Sequence, residues 1–110
     1  MPQGLGEFEQ MVLLAILHVK EEAYGVPIVE EIERRTGRSV SRAAVYVTLR
    51  RLEKRGFVTS WMSEPTGERG GKARRCVRVE QGGVDLVRES RMAMERMWGD
   101  LDPEVVEGAS

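Results

Sequence analysis

Residues 41–55, SRAAVYVTLRRLEKR, decide the fold. Ser41 is a favourable N-cap residue, since its hydroxyl oxygen can accept from an otherwise unpaired amide of the first helical turn. No glycine or proline interrupts the run before Gly56, a suitable C-terminal stop. Ala44 or Val45, Leu49 and Leu52 form an inward stripe at helical spacing. The opposite face carries Arg42, Tyr46, Arg50 and Lys54 at successive four-residue steps, flanked by Ala43, Val47 and Arg51. A helix that only packs into a core has no need of this second stripe, whereas a helix laid against phosphates does.

Working outward, residues 26–36 are expected to form the preceding helix. Gly25 and Pro27 open it, Val29, Ile32 and Ile28 are its inward candidates, and Gly37 caps it. Arg34 and Arg35 occupy its last turn, where cations suit the helix dipole. Arg38-Ser39-Val40 is a tight connection into the 41–55 helix. Downstream, FVTSWMS (57–63) and RRCVRVE (74–80) read as strands around the turn-rich EPTGERGGKA (64–73). Two helices joined by a short turn and followed by a basic hairpin are the winged variant of the helix-turn-helix.

The flanks bear on assembly. EFEQMVLLAILHVK (7–20) reads as a helix that is apolar nearly all round, hence buried on more than one side, between a domain core and a partner. Residues 82–101 read as a last helix. In it Val84, Val87, Arg91, Met94, Trp98 and Leu101 alternate at three- and four-residue spacing, and Leu86 and Met97 widen the stripe. This seam is coiled-coil-like but spans under three heptads, so it needs a partner. The expected organisation is a winged-helix domain over 1–80, a dimerisation helix over 81–101 and a flexible tail over 102–110. The fold class is mainly α with a small β-hairpin (α+β), a winged helix-turn-helix with a C-terminal dimerisation helix.

The net charge is −1, which on its own argues against a nucleic-acid partner. Its distribution argues otherwise. Residues 1–33 hold Lys20 against seven Glu, a charge of −6; residues 34–78 hold thirteen Lys or Arg against three Glu, +10; residues 79–110 hold three Arg against eight acids, −5. A basic middle between acidic ends suits double-stranded DNA on one face. The longest apolar run, Met11 to Leu17, is too short to span a bilayer, so no membrane partner and a cytoplasmic location are expected. One cysteine, Cys76, and one histidine, His18, rule out the common zinc sites and most Cys/His catalytic pairs, and no metal or cofactor is expected.

The stretch from Glu21 to Gly83 resembles the PadR-like transcriptional regulators in their short form. The resemblance rests on Ala23-Tyr24-Gly25 before the second helix, Val45-Tyr46 and Leu49, Arg51 and Leu52 in the third. It also rests on Glu64-Pro65 through Gly70-Gly71-Lys72-Ala73-Arg74-Arg75 in the wing. It extends over roughly residues 5–101. It implies a winged helix, a homodimer built by the first and last helices, and an inverted-repeat operator. It further implies repression, often relieved by a small aromatic or phenolic effector. The helix tyrosine carries over to Tyr46 and the wing cations to Arg69, Lys72 and Arg74. One departure is Cys76-Val77, where the family often has an aromatic pair, so smaller side chains pack beneath the wing.

The candidate DNA contacts are therefore Ser41, Arg42, Ala43, Tyr46, Arg50, Arg51, Lys54, Arg69, Gly71, Lys72 and Arg74. Ser41, Arg42 and Ala43 would lie nearest base edges, and the wing glycines allow close backbone approach. GERGGK also resembles a phosphate-binding loop, but its spacing before Lys72 is one residue short, no Ser or Thr follows, and strands flank it. Met94, Met97 and Trp98 suit a flat aromatic effector at the dimer seam, although simple dimer packing explains them at least as well. Trp61 is read as core or wing support, His18 as an ordinary helix histidine and Cys76 as a small strand hydrophobe. The competing reading is a winged-helix protein-interaction module that binds no DNA. The +10 segment opposes it, because interaction faces are usually depleted in lysine. Enzymatic function is not expected, since no nucleophile–base pair or carboxylate dyad stands out.

Overall fold

A computed structural model describes residues 5–20, 23–64 and 73–108. Its elements run α1 (Glu7–Val19), α2 (Gly25–Thr36), α3 (Arg42–Lys54), β1 (Val58–Met62), β2 (Arg75–Val79), α4 (Gln81–Trp98) and α5 (Pro103–Glu107). The chain is mostly helical, and its two strands pair antiparallel.

The helix α1 is the hub. Val12, Leu13, Ala15 and Ile16 are buried, and the helix packs against α2, α3, β2 and α4. Ile28 and Ile32 from α2, Val45, Leu49 and Leu52 from α3, Val58 and Val77 from the sheet, and Val87 from α4 complete one apolar cluster. Burial of such side chains is worth about 1.5–3 kcal/mol each before entropy is counted, so this cluster is what holds the elements at fixed angles. As expected, α1 has apolar surface left over: Leu14 and Leu17 remain 44% and 40% exposed.

The turn between α2 and α3 is locked locally. Gly37 donates to Glu33 O, Arg38 N donates to Thr36 Oγ1 at 3.1 Å, and Val40 N donates to a Glu33 carboxylate oxygen at 3.0 Å. Ser41 then caps α3 by accepting from Ala44 N at 3.0 Å. Of the inward candidates on α3, Val45 is the buried one and Ala44 is exposed, while Thr48 joins Leu49 and Leu52 inside.

In the hairpin, Val58 pairs with Val79, Ser60 with Val77 and Trp61 with Cys76. Ser63 N donates to Arg74 O at 2.7 Å and Arg74 N donates to Ser63 Oγ at 2.9 Å, closing the base of the wing. Val77 N also donates to Ala23 O at 2.8 Å, which ties the segment before α2 to β2.

Three expectations are corrected. The helix α4 ends at Trp98 rather than at 101, because Gly99 turns the chain with φ +53°, a region favourable only to glycine. Leu101 therefore lies outside the seam helix. The expected flexible tail contains α5, where the Asp102 carboxylate accepts from Glu104 N and Pro103 takes the first helical position, a favourable start. Of the two readings of Trp61, core or wing support, the first is excluded: it is 44% exposed, because it shares the outer face of the hairpin with Thr59 and Arg78, and only Cys76 on that face is buried. Among the described residues no helix is long and apolar enough to cross a membrane.

Candidate nucleic-acid interface

The packing of α3 determines which of its side chains face outward. Val45, Thr48, Leu49 and Leu52 are buried against the core, leaving Arg42, Ala43, Tyr46, Val47, Arg50, Arg51 and Lys54 exposed on the other side. Ser41 is exposed at the helix start with its hydroxyl oxygen engaged in the cap. The predicted row is thus one continuous surface.

Charge pairing separates this surface from most of the other described arginines. Arg34 and Arg35 both bind Glu31; Arg38 binds Glu7 at 2.6 Å; Arg78 binds Glu80 at 3.2 Å; Arg88 and Arg91 bind Asp85 and Glu95 on α4. Hydrogen bonds from Arg34 and Arg35 hold the Glu31 carboxyl down to about 2, and Arg38 holds that of Glu7 below its usual range. Thr59 and Arg78 do the same for Glu80. Among the described residues, Arg42, Arg50, Arg51 and Lys54 have no acidic partner. Four cations on one helix face with no acidic partner among the described residues give a positive field directed outward.

A groove of about 610 Å³ runs between α3 and the hairpin. Leu49 and Val77 form its floor; Tyr46, Arg50, Lys54 and Arg75 stand on its walls. Inside it Ser60 donates to Glu53 at 2.7 Å, and Arg75 approaches the same carboxylate at 3.8 Å. The groove places the strand cation Arg75 beside the helix cations, an arrangement not anticipated from the sequence.

Tyr46 is fixed more tightly than its 42% exposure suggests, because its ring closes over Gly25 at the start of α2. Arg74 is fixed as well: its guanidinium lies over the Tyr24 ring, 4.6 Å from the centroid. In the sequence Gly25 reads as the opening of α2 and Ala23-Tyr24-Gly25 as part of the family resemblance; the contacts of Tyr24 with Arg74 and of Gly25 with Tyr46 come from the structure. A glycine in the first turn of a helix, where better helix formers are available, was the signal that something approaches there. Arg69, Gly71 and Lys72 lie outside the described residues.

The effector candidates sit elsewhere. Met94 and Trp98 line a groove of about 620 Å³ between α1 and α4, together with Leu14, Val84, Val87 and Arg91. Met97 does not line it and is 79% exposed. His18 lies on a narrower cleft between α1 and α2, and Cys76 is buried in the sheet.

A helix-turn-helix whose second helix presents unpartnered cations, followed by a hairpin that sets further arginines beside it, defines a winged-helix DNA-binding regulator. The sequence matches the Transcriptional regulator PadR-like family over residues 13–89, and the chain belongs to that family. It is similar in fold to a transcriptional regulator from Clostridium thermocellum, at 20% identity, with 92% of this chain and 90% of that one covered and a TM-score of 0.66. A PadR family transcription regulator from Clostridium difficile gives 18% identity over 84% of this chain and 91% of that one, with a TM-score of 0.69. Another, from Eggerthella lenta, gives 25% identity over 83% and 79%, with a TM-score of 0.63. No curated protein matches the chain.

Proposed function

We propose that this regulator is a homodimeric repressor that binds an inverted-repeat operator, with α3 of each protomer in the major groove and the wing on the flanking backbone. The observation that carries this reading is the set of four cations on the outer face of α3 that have no acidic partner among the described residues. Arg42, beside Ser41 and Ala43 at the helix start, suits base edges, where arginine pairs bidentately with guanine. Arg50, Arg51 and Lys54 suit phosphates, as do the wing cations Arg69, Lys72 and Arg74, with Gly71 allowing close approach. Tyr46 can donate its hydroxyl to a phosphate from its seat on Gly25.

Dimerisation through α4 is supported by its outer half. Every residue from Arg91 to Trp98 is exposed in the single chain, including Met92, Met94, Met97 and Trp98. An apolar helical segment with no neighbour is marginal in water and is stabilised by a second copy. Two-fold symmetry would then set the two α3 helices about 34 Å apart, one DNA turn. Release by a small aromatic effector rests on the family resemblance and on the groove beneath Trp98.

The test is a fluorescence-anisotropy titration at two salt concentrations, with duplex from upstream of the protein's own gene against a scrambled duplex. Tight binding that prefers the native duplex and weakens steeply with salt, by roughly 0.9 log units per log unit of salt for each neutralised phosphate, supports the repressor. No salt-sensitive binding to either duplex would overturn it in favour of a protein-interaction module.

A further inference from the structure

Three consecutive residues join the two halves of the proposed DNA surface. Ala23 is fully buried and accepts from Val77 N in β2. Tyr24, the N-cap residue of α2, lies beneath the Arg74 guanidinium. Gly25 is covered by the Tyr46 ring of α3. The contacts form a chain from the outer face of α3, through residues 23–25, to the base of the wing. Arg74 is held at two points, its backbone by Ser63 and its side chain by Tyr24.

We infer that Tyr24 is a positioning residue for DNA recognition, its ring serving as the platform that holds the Arg74 guanidinium at the angle the backbone phosphate needs. A stacked guanidinium interacts with the ring through its face and keeps its N–H groups free at the edge, so stacking and phosphate binding are compatible. An unsupported arginine at a hairpin base would have to be ordered when DNA arrives, at a cost in side-chain entropy. Tyr24 removes much of that cost beforehand. Its adjacency to Gly25 sets the platform in fixed relation to Tyr46, so wing and helix keep one spacing. The neighbouring Arg75 takes a different course, toward Glu53 in the groove. Among the described wing cations, Tyr24 therefore acts on Arg74 and not on Arg75.

This inference rests on the DNA-binding reading, and the experiment separates the two. Affinity for a scrambled duplex of about three helical turns is measured for the wild type, Tyr24→Leu, Tyr24→Phe, Arg74→Ala and the Tyr24→Leu/Arg74→Ala double variant. Failure of the wild type to bind would remove the DNA-binding reading itself. Given binding, Tyr24→Leu should lose about threefold per protomer, about tenfold for a dimer, the range of an exposed cation–π contact. Tyr24→Phe should bind like the wild type, because the ring face is kept. In the Arg74→Ala background Tyr24→Leu should cost nothing further. Equal losses in both backgrounds, or a Phe variant as weak as the Leu variant, would overturn the inference and leave Tyr24 as ordinary packing. Should Tyr24→Leu fold poorly, the NMR signal of the Arg74 Nε proton in the wild type and in Tyr24→Phe decides. It should be shifted upfield by the ring in both, and an unshifted signal overturns the inference.

Discussion

The Tyr46 ring occupies the space that a side chain at position 25 would need: a Cβ built on Gly25 would lie 2.4 Å from Tyr46 Oη, 2.7 Å from Cζ and 3.0 Å from Cε1. Helix α2 and helix α3 therefore meet through an aromatic ring laid on bare backbone. Gly25 is buried by this contact, while Tyr46 keeps one edge in solvent. The ring is seated against α2 with its hydroxyl end nearest Gly25.

Gly25→Ala should therefore displace Tyr46. Tyr46 Oη and Cζ stand closer than a Cβ tolerates, so the ring must swing out or α2 must shift. Overpacking of this kind costs about 1–3 kcal/mol. Chemical denaturation should show a lower midpoint, and DNA affinity should fall with it. Adding Tyr46→Ala should recover part of the lost stability, because the clash is then gone. A Gly25→Ala variant as stable as the wild type would show that the ring is not pinned.

The unpaired cations of α3 divide by position. Arg42→Ala should reduce affinity for the preferred duplex more than for a scrambled one, by about 1–3 kcal/mol on the preferred duplex, because a base contact is lost. Lys54→Ala should weaken both duplexes alike and flatten the salt slope by roughly two units for a dimer. Equal losses on both duplexes for Arg42→Ala would assign it to the backbone.

Much of this was legible in the sequence for physical reasons. Helix α3 has a hydroxyl cap, a glycine stop and two distinct stripes, all signals carried within the sixteen residues from Ser41 to Gly56. The charge segregation likewise pointed to the basic surface. The contacts Tyr46–Gly25 and Arg74–Tyr24 were not legible, since each joins residues 21 or 50 positions apart and leaves no local periodicity. Of the two readings of Trp61, core or wing support, the core one fails because strand alternation leaves open which face is covered, and on the Trp61 face only Cys76 is buried. The end of α4 was overextended because the three–four spacing of the seam runs on to Leu101, although Gly99 breaks the helix that would carry it.

Acid should expose the role of Glu31. Hydrogen bonds from Arg34 and then Arg35 lower its carboxyl from 4.5 to about 2 in the folded protein. A lowered value means that the ionised form is favoured by folding. The pairing is therefore fully stabilising above pH 4.5 and is lost as the pH falls through about 2. Glu31→Gln should be less stable than the wild type at neutral pH, with the difference closing as the pH approaches 2. Thermal melts across that range test this. A difference that stays constant with pH would mean that the glutamate acts through packing alone.

The α4 seam makes the last prediction. Met94 and Trp98 lie one helical turn apart, 58% and 52% exposed, on the wall of the groove against α1. Replacing both with glutamate puts two charges where a second copy would have to bury them, and an unpaired buried charge is strongly unfavourable. Among the described residues the buried core draws only Val87 and Gly83 from α4, so the fold of the rest should survive. Sedimentation should show the wild type as a dimer and Met94→Glu/Trp98→Glu as a monomer. Circular dichroism should show a small helical loss, because the outer turns of α4 would stand alone in water. Operator affinity should fall steeply, since each monomer would hold a single half-site. A double variant that remains a dimer would place the interface elsewhere, with the exposed Leu14 and Leu17 of α1 the next surface to examine.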